Sequence, residues 1–171
     1  RFLCKQYNIE VIEEEEGESD LAPNGERAEV LKAIAWMQDY MVDQLHHTEE
    51  GQTVALPYLA HRGIGEEAIR SFGLGYCPKT SSEFFQKAIQ DGIDPKYLEK
   101  AGIAVLRENS GYNRFETRIT FPIHNVIGRV IGFGARTMAE NKEKKIAKYV
   151  NSPETEVYHK SNVLYGIALA K

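Results

Sequence analysis

The stretch RITFPIHNVIGRVIGFGAR, residues 118–136, reads as two strands joined by a turn. Arg118 to Ile123 and Gly128 to Phe133 are each rich in β-branched or aromatic residues, and Asn125 to Gly128 supplies turn-forming side chains between them. The loop is longer than the tight two-residue hairpin type. Working outward, Ile103-Ala104-Val105-Leu106 has the same texture, and Lys148 to Asn151, ahead of the Ser152-Pro153 turn, reads as a last strand. The second half of the chain is therefore predicted to be a small mixed or antiparallel sheet.

The first half has a different period. From Glu26 to about His47 the apolar residues Val30, Ile34, Met37, Met41 and Leu45 recur at the spacing of one helical face, with Trp36 and Tyr40 widening the stripe. Thr48 to Gly51 are expected to end that helix. Short helical pieces follow at Leu56 to His61, where Pro57 suits a first turn, and at Glu66 to Phe72. Gly73-Leu74-Gly75-Tyr76 reads as a short strand or extended link, and Ser82 to Gln90 and Pro95 to Lys100 as two further helices. The fold class is α+β, helices first and sheet after.

Charge is unevenly spread. The chain of 171 residues has a formal net charge of -4, yet residues 107–171 carry eleven basic and six acidic groups and no aspartate. Any polyanion contact belongs in that last third. Residues 1–25 run through Glu13, Glu14, Glu15 and Glu16 to Pro23-Asn24-Gly25 and read as a linker or arm. The core domain is placed at residues 26–171. Cys4 and Cys77 have no disulfide or zinc spacing. No run approaches the ~20 apolar residues that cross a bilayer, and a cytoplasmic location is the simplest expectation. The chain lacks an initiator Met and stops inside a predicted helix starting near Ser161 or Asn162, so it is read as a fragment.

Phosphoryl transfer asks for paired carboxylates that hold a divalent cation. The candidates are poor: Asp39 and Asp43 flank the apolar stripe of the long helix, Asp91 and Asp94 lie at a helix end and loop, and Glu13–Glu16 form a solvated block. The five histidines fall into no metal-ligand spacing. Gly128, Gly132 and Gly134 lack the following helix that a dinucleotide fingerprint requires. Neither a catalytic residue nor a metal ligand is assigned in this chain.

What remains is a series of basic residues beside glycines, aromatics or strands: Arg62, Arg114, Arg118, Arg129, Arg136 and Lys148. A guanidinium offers a planar fork for phosphate, and an adjacent ring can stack on an unpaired base. Arg114, Glu116 and Arg118 are expected on one strand face, where Glu116 could pair with either arginine.

Phe121-Pro122-Ile123, Gly128 through Arg136, KYVNSPET from Lys148 to Thr155, His159-Lys160 and Leu164-Tyr165-Gly166 stand in an order that resembles the bacterial DNA primase family. So do Tyr58 through Ile64 and Phe72 through Tyr76. The resemblance covers roughly residues 54–171 and implies the N-terminal subdomain of that family's polymerase core, which lays a single-stranded template along a basic track. It implies template or nucleotide contacts at Arg62, Arg118, Arg136, Lys148, Tyr149, Asn151 and Lys160. It further implies a parent enzyme making RNA primers from ribonucleoside triphosphates, with an RNA primer/DNA hybrid as product. Mg²⁺ or Mn²⁺ would sit in a following Toprim subdomain, Zn²⁺ in a preceding zinc-binding domain, and the replicative helicase would be met through a C-terminal region. Ala135 and Glu116 depart from the family, the first replacing a second glycine and the second a common basic residue. Two rival readings are a nucleic-acid-binding adaptor without catalysis, and a small-molecule enzyme built on the glycines near Gly132.

Overall fold

A computed structural model of the chain describes residues 25–79, 82–108, 110–139 and 146–166; the predicted arm lies outside the described residues except for Gly25. Helix α1 (Gly25–His47) carries the predicted stripe, with Val30, Ala33, Ile34, Met37, Met41 and Leu45 all buried. Each large apolar side chain so buried contributes about 1.5–3 kcal/mol relative to exposure.

Helix α1 ends at His47 as the sequence suggested, but the helical path resumes after it. A bend at Thr48 leads through a π-helical turn (Gly51–Ala55) directly into α2 (Leu56–His61), with helical dihedrals at Glu50 and Ala55. Thr48, expected to terminate the helix, holds the bend: its hydroxyl donates to the Gln44 carbonyl and accepts from the Gly51 N–H. Gly51 is needed there because its backbone lies against the carbonyls of Gln44 and Leu45, where no side chain fits. Helix α3 (Glu66–Ser71) and strand β1 (Gly75–Cys77) follow, then α4 (Ser82–Gln90) and α5 (Pro95–Lys100), the latter capped by Asp94, whose carboxylate accepts from the Lys96 N–H.

Strands β2 (Ala104–Arg107) and β3 (Ser110–Asn113) form a separate antiparallel ribbon. The sequence reading missed β3 because Ser-Gly-Tyr-Asn has the composition of a turn. Strands β4 (Arg118–His124), β5 (Val130–Thr137) and β6 (Tyr149–Asn151) complete a four-stranded sheet in the order β1-β4-β5-β6, antiparallel throughout. The predicted hairpin closes β4 onto β5, with Asn125 and Arg129 bonded through N–H and carbonyl at 2.9 Å. Strand β5 runs four residues past Phe133, because Gly134-Ala135-Arg136-Thr137 pairs with β4 on one side and largely with β6 on the other.

Alternation along the strands divides the sheet into two faces. Gly75, Cys77, Thr120, Phe133 and Ala135 face α1. Tyr76 and Ile119 point the other way, into a cluster with Leu59 of α2, Ile69 of α3 and Leu45. The helical path thus wraps the β1 edge, covering one face with α1 and the β1 half of the other with α2 and α3. The β5–β6 half of that second face is left open.

Candidate nucleic-acid interface

On the open half of the sheet, Gly134 and Arg136 of β5 share a face with Phe121 and Ile119, their partners in β4, and with Asn151 and Tyr149, their partners in β6. The floor is nearly bare backbone. A Cβ on Gly134 would crowd the Asn151 Oδ1 at 3.2 Å and touch the Phe121 carbonyl oxygen at 4.0 Å, and one on Gly132 would meet Ser152 and the Tyr158 ring. The segment after β6 closes one side. There the Ser152 hydroxyl accepts from the Phe133 N–H, the Thr155 hydroxyl from the Tyr158 N–H, and the Glu154 carboxylate from the Lys160 N–H. A cleft of about 520 Å³ results, lined by Arg136, Tyr149, Asn151 and Lys160 together with Phe121 and Tyr165.

Four of the seven residues singled out in the sequence therefore converge. Arg136 lies with its guanidinium 5.2 Å from the centre of the Tyr149 ring, and its Nε is buried without a hydrogen-bond partner. Tyr149 is 59% exposed, so one broad side of an aromatic ring is available to a ligand. Lys148 stands exposed at the rim, its carbonyl accepting from the Thr137 N–H at 3.1 Å. Arg62, at the end of α2, lies 5.3 Å from the centre of the Tyr58 ring, and the Tyr58 hydroxyl points at the Thr137 carbonyl, 3.5 Å away. That connects Arg62 to the end of β5 without placing it in the cleft.

Arg118 is different. It is 8% exposed, its Nη1 donates to the Ala147 carbonyl at 2.9 Å, and burial pushes its pKa down from the ordinary arginine value. Its observed partner is the backbone just ahead of Lys148, so its geometry is that of a strut. The expectation that Arg114, Glu116 and Arg118 share a strand face is not met: residues 114–117 form a turn with Thr117 at φ 58°, and only Arg118 enters β4. Ala135 has ordinary strand geometry and packs into the core toward α1, so the lost glycine costs nothing at that position.

The helix expected near Ser161 is a single 3-10 turn (Lys160–Asn162), followed by extended backbone at Val163. Phe121, Tyr158 and Tyr165 were not assigned to the site from sequence. The signal was the pleat: with Arg136 taken as a site residue, Gly134 and Gly132 lie on its face, and the aromatics arrive through pairing and chain return. No carboxylate lines the cleft, and among the described residues no group of three or more His, Cys, Asp or Glu is placed to hold a metal ion.

The described residues form a helix-wrapped antiparallel sheet with a glycine-floored cleft of basic and aromatic lining, a chemistry suited to a polyanion. The profile of the family described as "DNA primase catalytic core, N-terminal domain" matches residues 40–171, and the chain belongs to that family. It is 45% identical over 113 residues to a DNA primase of Rickettsia felis, a match spanning 65% of this chain and 18% of that protein. Among solved structures, the RNA polymerase domain of Mycobacterium tuberculosis primase DnaG superposes with a TM-score of 0.74 at 34% identity, over 84% of this chain and 46% of that one. A DnaG primase catalytic domain bound to single-stranded DNA gives 0.74 at 31%, over 85% and 44%. The chain thus spans less than half the length of the relatives it matches.

Proposed function

We propose that this chain is the template-gripping part of a bacterial primase, a DNA-directed RNA polymerase that makes short RNA primers on single-stranded DNA. The observation that carries this reading is the convergence of Arg136, Tyr149, Asn151 and Lys160 on one acid-free cleft. Arg136 and Lys160 neutralise phosphate, Tyr149 stacks on an unpaired base, and the Asn151 amide meets a base edge or backbone. Lys148 and Arg62 extend the positive rim, and Arg118 holds the strand that presents Lys148 and Tyr149. The single-stranded DNA held by a structural neighbour supports the assignment.

The described residues offer no carboxylate set for a cation, so the Mg²⁺ or Mn²⁺ that stabilises phosphoryl transfer is supplied by a Toprim-type subdomain of the whole protein. A zinc-binding domain accompanies it, as the name of an Aquifex aeolicus primase structure records for that protein. Ribonucleoside triphosphates, the primer/template hybrid and the replicative helicase are the remaining partners, and the cytoplasm is the site of action.

Fluorescence anisotropy of labelled single-stranded DNA across a salt series tests the cleft. Counterion release makes log K fall with log salt by about 0.7 per neutralised phosphate on a single strand. Arg136→Ala and Lys148→Ala should each weaken binding and flatten that slope by about 0.7, and Tyr149→Ala should cost about 1–3 kcal/mol with the slope unchanged. Binding indifferent to all three would refute the assignment. Primer synthesis by the whole protein separates polymerase from adaptor: a whole protein that binds template normally and makes no primer is an adaptor.

A further inference from the structure

Glu154 is exposed and does not line the cleft, yet it is bonded to a residue that does. One carboxylate oxygen, Oε1, accepts from the Lys160 N–H at 3.1 Å, and the other, Oε2, pairs with the His159 Nδ1 at 3.1 Å. By charge alone, an acid beside a phosphate-binding cleft is a liability, because it repels the polyanion that Arg136 and Lys160 attract. The geometry gives it a second effect, of opposite sign.

The segment after β6 is pinned step by step as far as Tyr158. The Ser152 N–H donates to the Phe133 carbonyl at 2.7 Å while its hydroxyl accepts from the Phe133 N–H. Pro153 is seated against Gly102, where a Cβ would come within 2.5 Å of the proline ring. The Thr155 N–H donates to the carbonyl of the buried Tyr158 at 2.9 Å. Past Tyr158 the chain leaves the sheet as the 3-10 turn that carries Lys160. His159, which precedes that turn, makes no capping bond with its side chain. Glu154 takes the cap's place from six residues back, its carboxylate satisfying the first N–H of the turn through a charge-assisted bond.

We propose that Glu154 is a positioning residue for template binding: it fixes the turn that brings Lys160 to the cleft, and this outweighs its own repulsion of the strand. The inference rests on the template reading above, since Lys160 must hold a phosphate for its placement to matter. A neutral side chain of the same reach keeps the acceptor and drops the repulsion. A methyl group drops both. Glu154→Gln and Glu154→Ala therefore separate the two effects.

The test is anisotropy of labelled single-stranded DNA on the full chain across a salt series. Glu154→Ala should weaken binding severalfold and flatten the salt slope by about 0.7, the signature of one lost phosphate contact. Lys160→Ala should then add little in the Glu154→Ala background. Glu154→Gln should bind as tightly as the parent, or more tightly, with the slope kept. Hydrogen exchange reads the bond with no DNA present: the Lys160 amide should exchange faster in Glu154→Ala and stay protected in Glu154→Gln. A circular-dichroism melt checks that each variant is folded, and Glu154→Ser, equally unable to reach, replaces Glu154→Ala if that variant does not fold. Tighter binding by Glu154→Ala makes Glu154 a surface charge only and overturns the proposal. So does a loss that adds in full to that of Lys160→Ala, or weaker binding by Glu154→Gln. If Arg136→Ala and Lys160→Ala both leave binding untouched, the template reading has failed and takes this inference with it; if they weaken binding and Glu154→Ala does not, this inference alone has failed.

Discussion

A methyl group added at Gly51 would come within 2.1 Å of the Gln44 carbonyl oxygen and 2.5 Å of that of Leu45. Both are backbone, so neither can step aside. Gly51→Ala should therefore lower stability by about 2–3 kcal/mol or more, read as a depressed thermal midpoint. At Gly134 the same methyl crowds the Asn151 side chain alone, its contact with the Phe121 carbonyl oxygen being an ordinary 4.0 Å. Gly134→Ala should leave the midpoint within a few degrees of the parent and weaken single-stranded DNA binding by displacing Asn151, a separation of the two readouts that a core position would not give. Arg118→Ala should do both: it removes the bond to the Ala147 carbonyl, at about 0.5–1.5 kcal/mol, and loosens the segment that carries Lys148 and Tyr149. Calorimetry alongside the anisotropy assay checks the pair. The sequence offered Arg118 as a candidate contact and not as a strut, because sequence reports that an arginine is present and not whether its fork faces water or a carbonyl.

Among the elements, α4 is fastened to α1 through aromatics. Trp36 stacks on Tyr40 at 5.4 Å, Tyr40 meets Phe84 edge-on, and the Trp36 Nε1 donates to Asp91 at the end of α4. Trp36 is the chain's single tryptophan, so its emission reports this junction. Asp91→Ala should red-shift or quench that emission and leave DNA binding intact. The hairpin element adds a pH response. Burial pushes the His124 imidazole below its ordinary pKa, while the unfolded chain takes up its proton near 6.5. The unfolded state thus binds more protons below about 6.5, so this contribution is full above that pH and is lost as pH falls through the depressed folded value. Melting curves from pH 7.5 downward should show the decline, and His124→Gln should flatten it. Helices α4 and α5 match their predicted bounds because a polar N-terminal residue or a first-turn proline marks each start. Strand β3 and the π turn were invisible, since one is stabilised only by its partner strand and the other by the packing of Leu45 and Ala55.

At the scale of the molecule, period, turn chemistry and the charge gradient carried the architecture: helices first, an antiparallel sheet after, basic groups late. They could not carry the second face. That Tyr76 and Ile119 pack under α2 and α3 while Gly134 and Asn151 stay open depends on the helical path turning the β1 edge, which no local pattern encodes. The same path makes this region intolerant of changes in length. From Gly25 to His61 the chain is helical apart from one bend at Thr48, and each residue advances a helix by about 100° and 1.5 Å. Deleting or inserting one residue between 49 and 55 would rotate Leu59 out of its cluster and swing Tyr58 and Arg62 off the end of β5. Homologous chains should accordingly keep the residue count of this turn, and Gly51 with it, while its other positions vary.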